Sequence, residues 1–212
     1  MSREIDRIST EIGCIDTANL PATLISTLGA HCKVYKAGGL RAKGASHDVV
    51  LKMHTLSCDA REAELYQRDY RKLRQQLGDI IPQALFVRTR IAGVENLLVL
   101  AQAHTPWFNI ANPANEAEAM PMMKGFHLAR DQLRNFVAAA RGWQREESKV
   151  IDLFGLDNLV LDRKHQIRYL DSFEVFFYED MLHLIEHHDR ELEERITISL
   201  QRLEYLEYLV AQ

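Results

Sequence analysis

The spacing of apolar residues predicts strands in the first part of the chain. Residues 23–39 are rich in β-branched residues and are interrupted by Gly29, which is typical of two strands joined by a turn. Residues 40–46 are polar and predict a loop. Residues 47–55 alternate like a strand, with Val50 and Lys52 on the same face.

The period then changes from that of a strand to that of a helix. Residues 57–78 carry apolar side chains at helical spacing, which predicts a helix. The leucines at this spacing are Leu65, Leu73 and Leu77. Asp59 and Glu62 fit a capping box at its start, and Gly78 fits its end. Residues 80–104 predict two strands around an Ala92-Gly93 turn. The first half is therefore predicted to be β-β-β-α-β-β.

The second half is predicted to be mainly helical. Residues 105–121 contain three prolines and predict a hinge with an insertion, and residues 122–143 predict a helix. Short strands follow within 150–177, and helix resumes from about Tyr178. The apolar stripe of the final helix consists of Leu192, Ile196, Leu200 and Leu203.

Length and composition limit the classes of protein to which the chain can belong. The 212 residues suffice for one large domain or two small lobes, and a net charge of −4 argues against a protein that coats nucleic acid. The N-terminus lacks the apolar core of a signal peptide, and no segment is long and apolar enough to cross a membrane. Three scattered cysteines suit a reducing compartment. We expect a cytoplasmic protein, with export as a signal-less effector as the alternative.

Three polar residues stand at the ends of short apolar strands near the end of the chain. They are Asp152, Asn158 and Asp171. Acidic and amide side chains at such places make turns, hold a metal ion through their oxygens, or accept a proton.

The order of elements and these three residues resemble the protein-kinase-like fold, the superfamily of protein kinases and aminoglycoside phosphotransferases. The resemblance covers roughly residues 23–177. It implies an α+β, bilobal fold, with a five-stranded antiparallel N-lobe sheet and one helix in residues 1–104. Residues 105–212 would form a reduced, mainly helical C-lobe. The implied activity is transfer of the γ-phosphoryl group of ATP to a hydroxyl, with Mg²⁺.

The resemblance also implies roles for individual residues. Lys52 in "VVLK" would contact the ATP phosphates, oriented by Glu64 or alternatively Glu62. Asp152 would position the acceptor hydroxyl and take its proton, while Asn158 and Asp171 would bind Mg²⁺.

Further ATP contacts follow from the same resemblance. Gly29 would belong to the loop that covers the phosphates. Adenine would meet backbone groups of five consecutive residues, namely Val99, Leu100, Ala101, Gln102 and Ala103.

The sequence departs from the kinase pattern in ways that keep a second class open. Only Gly29 remains of the glycine-rich loop, and Val150-Ile151 precede Asp152 where His-Arg is usual. The gap from Asp152 to Asn158 is one residue longer than usual, and Gly155 could absorb it. The alternative is a catalytically dead pseudokinase that binds nucleotide or a protein partner, and a third is an α+β binding protein without nucleotide. The acceptor would be a protein or a small molecule.

Three histidines form a separate candidate for a zinc site. His183, His187 and His188 fall in one predicted helix, where an i, i+4 pair can bind zinc. A solvated helix face is the preferred interpretation, because no third ligand pattern accompanies the pair.

Overall fold

The chain has a mixed α+β structure that divides into two compact units. The computed structural model describes residues 22–26, 32–42, 45–179 and 190–212. Among these, one unit holds the residues up to Gln67 together with Gln83–Ala103, and the other holds Arg68–Pro82 and His104–Gln212. Residues 68–82, which the sequence analysis assigns to the first lobe, thus group with the second unit.

The first unit is built on one antiparallel sheet of five strands. The strands are β1 Ala22–Ser26, β2 Cys32–Ala42, β3 Ala45–His54, β4 Ala84–Ile91 and β5 Val94–Gln102. Their order in the sheet is β1-β2-β3-β5-β4, with every neighbouring pair antiparallel. The predicted sheet and its strand sequence are confirmed for the described residues.

The prediction of a polar loop over residues 40–46 is wrong for most of that segment. Strand β2 continues to Ala42 and β3 begins at Ala45, and these two residues are register partners. The register shifts between Ala37 and Leu40, where Gly38-Gly39 stand. Glycine tolerates the irregular backbone of a bulge, so the pair of glycines interrupts the ladder without ending the strand.

Helix α1 Ala60–Leu77 begins with the predicted capping box. The Asp59 Oδ1 accepts the Glu62 N–H at 2.9 Å, and the Glu62 Oε2 accepts the Asp59 N–H at 3.0 Å. A 3₁₀ turn, Gly78–Ile80, follows, and Gly78 has φ +56° as expected at a helix end. Of the three leucines at helical spacing, Leu73 and Leu77 are buried, whereas Leu65 is 36% exposed. Ala63 is the buried residue of that turn.

A buried asparagine fixes the connection from β3 to α1. Asn96 of β5 donates from Nδ2 to the carbonyls of His54 and Leu56, at 3.2 and 2.9 Å. The Cys58 N–H donates to the Glu95 carbonyl at 3.1 Å. These bonds satisfy buried backbone groups of a segment that has no regular structure of its own.

Three further helices lie in the described part of the second unit. They are α2 Glu116–Gly125, α3 His127–Glu147 and α4 Arg190–Ala211. Residues 105–121, predicted to be a hinge with an insertion, hold β6 Pro106–Phe108, a 3₁₀ turn Pro113–Asn115 and the start of α2. The predicted helix over 122–143 is confirmed for most of its length, but it is not continuous. It is broken at Phe126, whose ψ is +77° and whose ring stacks on His165 with the centroids 4.1 Å apart.

Short strands connect these helices. They are β7 Lys149–Ile151, β8 Leu159–Asp162, β9 Ile167–Tyr169 and β10 Phe176–Tyr178. The strands β6, β8 and β9 form one antiparallel sheet, and β7 pairs with β10. The short strands predicted within residues 150–177 are confirmed. On α4, Ile196 packs with Val150 and Phe177, and Leu192 and Leu200 lie against them, as the apolar stripe predicts.

Several predictions concern residues that the structure does not describe. Gly29 and the three histidines His183, His187 and His188 lie outside the described residues. No helix in the described ranges is long and apolar enough to span a membrane.

The β4–β5 turn allows a test of local backbone strain. Ala92 and Gly93 have φ of +51° and +84°, as a type I′ turn requires. Ala92→Asn should therefore stabilise the protein by about 0.5–1 kcal/mol, because asparagine tolerates the left-handed region better than alanine. Gly93→Ala should destabilise it by about 1 kcal/mol. Urea unfolding would measure both, and equal stability of the three proteins would contradict the turn assignment.

Candidate functional site

Three short strands bring Asp152, Asn158 and Asp171 together within the second unit. Asp152 directly follows β7, Asn158 directly precedes β8, and Asp171 comes two residues after β9. The Asn158 Nδ2 donates to the backbone carbonyl of Asp152 at 3.2 Å. The Leu170 N–H donates to the Asn158 carbonyl at 2.7 Å, so Asn158 lies beside the residue that precedes Asp171.

The backbone of Asp152 is held from three sides. Its N–H donates to the Val175 carbonyl at 2.9 Å, which continues the β7–β10 pairing by one residue. Its carbonyl accepts from the Tyr169 hydroxyl at 3.0 Å as well as from Asn158. A position fixed in this way is suited to a side chain that must be presented at a defined place.

The carboxylate of Asp152 is buried among both hydrogen-bond and charged partners. Its Oδ1 accepts the Phe154 N–H at 2.7 Å, and its Oδ2 lies 3.8 Å from a guanidinium nitrogen of Arg195. Burial and then the negative charge of Asp171 raise the pKa of Asp152 to about 7, against the lowering effect of Phe154 and Arg195. The residue is only 4% exposed.

Asp162 shows that burial alone does not decide whether the pKa of a carboxyl group is raised or lowered. It is equally buried, at 4% exposure. Burial acts to raise its pKa, but the bonds that its carboxylate accepts from Gln166, Arg168 and Lys164 outweigh burial and lower the pKa. Their lengths are 3.0, 3.0 and 2.8 Å. Asp152 is therefore distinguished by its acidic neighbour and by its smaller number of donors.

Asn158 and Asp171 offer the oxygens that a hard cation prefers. Both described hydrogen bonds of the Asp171 carboxylate, from Ser172 at 2.7 Å and Phe173 at 3.4 Å, go to Oδ1. Since Asn158 uses Nδ2 toward Asp152, its Oδ1 is the atom of that amide that can act as a ligand. One carboxylate and one amide fit Mg²⁺, which usually takes few protein ligands together with phosphate oxygens and water. No cluster of three or more His, Cys, Asp or Glu suited to a metal occurs in the described part of the chain.

Gly155 makes room for the Asn158 side chain. A Cβ at Gly155 would lie 2.5 Å from Asn158 Oδ1 and 2.8 Å from its Cγ. The Asn158 N–H donates to the Gly155 carbonyl at 3.1 Å. The longer spacing between Asp152 and Asn158 is therefore accommodated by a tight turn from Gly155 to Asn158.

Lys52 and its two predicted glutamate partners lie in the first unit. Lys52 stands in β3 between Val34 of β2 and Val99 of β5, and is 7% exposed. Glu62 is occupied in the capping box, and Glu64 is an exposed residue of α1. The capping box predicted for Glu62 is thus present.

The residues predicted to contact adenine lie at the end of β5 and directly after it. Val99, Leu100 and Ala101 belong to β5, which has hydrogen-bonded neighbours on both sides. The Gln102 N–H donates to the Gln83 carbonyl at 2.8 Å, and the Ala103 N–H donates to the Asp48 carbonyl at 3.0 Å. The sheet thus already uses these two N–H groups, and adenine contact with backbone groups of 99–103 stays a prediction.

Helix α4 contributes residues to the site that were not predicted from the sequence. Arg195 approaches Asp152, and Ser199 and Arg202 bond to the backbone of the residues that follow it. The only sequence signal is that these three polar residues recur at helical spacing beside the apolar stripe. No spacing rule connects them with Asp152.

Comparison with known proteins gives no relative for this chain: no protein-family model matches it, and no curated protein is significantly similar.

The raised pKa of Asp152 predicts a pH dependence of stability. The native state binds the Asp152 proton more tightly than the unfolded chain, whose aspartates titrate near 4. The stabilisation is therefore complete below about pH 4 and is lost as the pH rises through about 7. Relative to Asp152→Asn, the wild type should lose about 1.4 kcal/mol per pH unit within this window.

Asp162→Asn is the matched comparison for that experiment. The lowered pKa of Asp162 gives stability that is present at neutral pH and is lost only on acidification. The loss of unfolding free energy caused by Asp162→Asn should therefore stay constant from pH 5 to 8. Urea unfolding in EDTA would measure all three proteins, and parallel curves for wild type and Asp152→Asn over pH 5–8 would contradict the raised pKa.

Gly155→Ala tests the close contact with Asn158. The added methyl group should displace the Asn158 amide from Asp152 and destabilise the protein by about 1–3 kcal/mol. Gly142→Ala is the control, because a Cβ there meets nothing within 4 Å and α3 gains a better helix former. If the two variants have equal stability in urea, the predicted clash at Gly155 is absent.

Proposed function

We propose that the protein is an ATP- and Mg²⁺-dependent phosphotransferase with a bilobal, kinase-like fold. It would move the γ-phosphoryl group to a hydroxyl of a protein or small molecule. The observation that carries the proposal is the hydrogen bond from Asn158 to the Asp152 carbonyl, with Asp171 close enough to raise the pKa of Asp152. The resemblance in sequence requires the same three residues to act together.

Asp152 would orient the acceptor hydroxyl and take its proton. In this reaction the acceptor oxygen bonds to the γ-phosphorus, the bond to the β-phosphate oxygen breaks, and ADP leaves. A carboxylate with a pKa of about 7 is well matched to proton acceptance near neutral pH. The rigid backbone of Asp152 supports the positioning role.

Asn158 and Asp171 would hold magnesium through the oxygens described above. Bound magnesium would supply neutralisation of charge on the phosphates. Lys52 would contact the phosphates, with Glu64 as its predicted partner because Glu62 serves the capping box. The five-stranded sheet with one helix that precedes the site residues supports the kinase-like assignment.

A pseudokinase is the second candidate, and one observation favours it. The Asp152 carboxylate is buried, accepts the Phe154 N–H in a turn, and faces Arg195. These contacts are also what a purely structural aspartate would make. Such a protein would bind nucleotide or a protein partner without transferring phosphate.

Two aspartate variants separate magnesium binding from transfer. Asp171→Ala should lose most of the thermal stabilisation by ATP with Mg²⁺, which for wild type at 100 times Kd amounts to about 2.7 kcal/mol. Asp152→Ala should keep this stabilisation, because its function is on the acceptor. Its rate of ATP hydrolysis or autophosphorylation should fall by roughly 10²–10⁴-fold.

Asp131→Ala, at an exposed position of α3, is the control and should resemble wild type in both measurements. A wild type that binds ATP with Mg²⁺ but transfers to neither water nor any acceptor would support the pseudokinase. Full activity of Asp152→Ala would refute its catalytic role.

A further inference from the structure

One face of α4 holds the segment that follows β7. Arg195, Ser199 and Arg202 stand at positions i, i+4 and i+7, which lie on the same side of a helix. The Ser199 Oγ accepts the Leu153 N–H at 3.1 Å. Arg202 donates to the carbonyls of Leu153 and Phe154. These two side chains fix the backbone next to Asp152, and Arg195 is the member of the set that reaches its carboxylate.

Arg195 is held in one orientation by two acids and two aromatic rings. Its guanidinium lies 3.8 Å from Asp152 Oδ2 and 3.8 Å from Glu174 Oε2. The ring centroids of Phe177 and Phe154 are 4.8 and 5.7 Å away. The side chain is only 12% exposed. A planar guanidinium can direct separate N–H groups at two carboxylates while its faces contact aromatic rings.

The direction of the Asp152 side chain depends on this cation. Asp152, Asp171 and Glu174 are three acids in one region, and like charges repel more strongly when they are buried. Phe154 engages only Oδ1 of Asp152. Without Arg195, no described cation other than Arg202 would compensate Asp152, and Arg202 donates to backbone carbonyls.

We propose that Arg195 is a positioning residue, which from α4 holds the Asp152 carboxylate in the orientation needed toward the acceptor hydroxyl. The inference rests on the proposed phosphotransferase function. It assigns the C-terminal helix a direct part in transfer, although α4 contributes neither the predicted base nor a magnesium ligand.

The test compares Arg195→Lys with the double variant Arg195→Met/Glu174→Gln. The double variant removes one acid together with the cation, so that the fold is not left with an extra uncompensated charge. We expect kcat for ATP turnover to fall about 10²-fold in the double variant, as for a misplaced catalytic group, with KM for ATP unchanged. Arg195→Lys should recover part of kcat. Equal losses in kcat and in ATP affinity would contradict a positioning role.

Amide hydrogen exchange gives a readout that does not require activity. The Phe154 N–H should exchange faster in the double variant because its acceptor, Asp152 Oδ1, becomes mobile. The Leu170 N–H, which donates to the Asn158 carbonyl, should exchange as in wild type. Arg141→Met is the matched control: it breaks the bidentate pair between α3 and Glu207 of α4 and should leave the Phe154 exchange and kcat unchanged.

The role of Arg195 and the proposed phosphotransferase function would be refuted by different results. Unchanged exchange at Phe154 would overturn the role of Arg195, even in an active enzyme. Absence of phosphate transfer by wild type would overturn the proposed function, even if Phe154 exchange responded as expected.

Discussion

The buried carboxylate of Asp152 sets the conditions that the rest of the second unit has to meet. Removing a carboxylate from water costs several kcal/mol unless donors or cations replace the lost hydration. The Phe154 N–H donates to it and the Arg195 guanidinium lies 3.8 Å away, while Asp171 opposes its ionisation. The protein therefore keeps Asp152 near the balance between its charged and neutral forms, in contrast to the fully donor-bound Asp162.

Such a balance is preserved only if the neighbouring groups cannot move. Four short strands provide this rigidity. The Asp152–Val175 bond extends the pairing of β7 and β10 by one residue, and β8 and β9 bring Asn158 and Tyr169 to the Asp152 carbonyl. Strands of three or four residues suffice because each is buried. α4 completes the enclosure through Arg195, Ser199 and Arg202.

The first unit follows rules that act over a few residues. The capping box of α1, the turn at Ala92-Gly93 and the strands on both sides of it were all predicted, because each is determined by neighbours along the chain. Where the predictions failed, distant contacts decided. Pairing with each other carried β2 and β3 through a segment that looked like a loop, and stacking of Phe126 on His165 accompanies the break between α2 and α3.

The sequence by itself determined most elements of the sheet, the hairpin of β8 and β9, and the candidates Asp152, Asn158 and Asp171, because residue types at strand ends are visible locally. Only the tertiary structure decided that Asn158 bonds to Asp152, that Gly155 must lack a side chain, and that the N–H groups of Gln102 and Ala103 are used by the sheet. Only the tertiary structure brings the guanidinium of Arg195 close to the carboxylate of Asp152. That contact depends on the burial of the apolar stripe of α4, which turns a polar face of a distant helix toward the site.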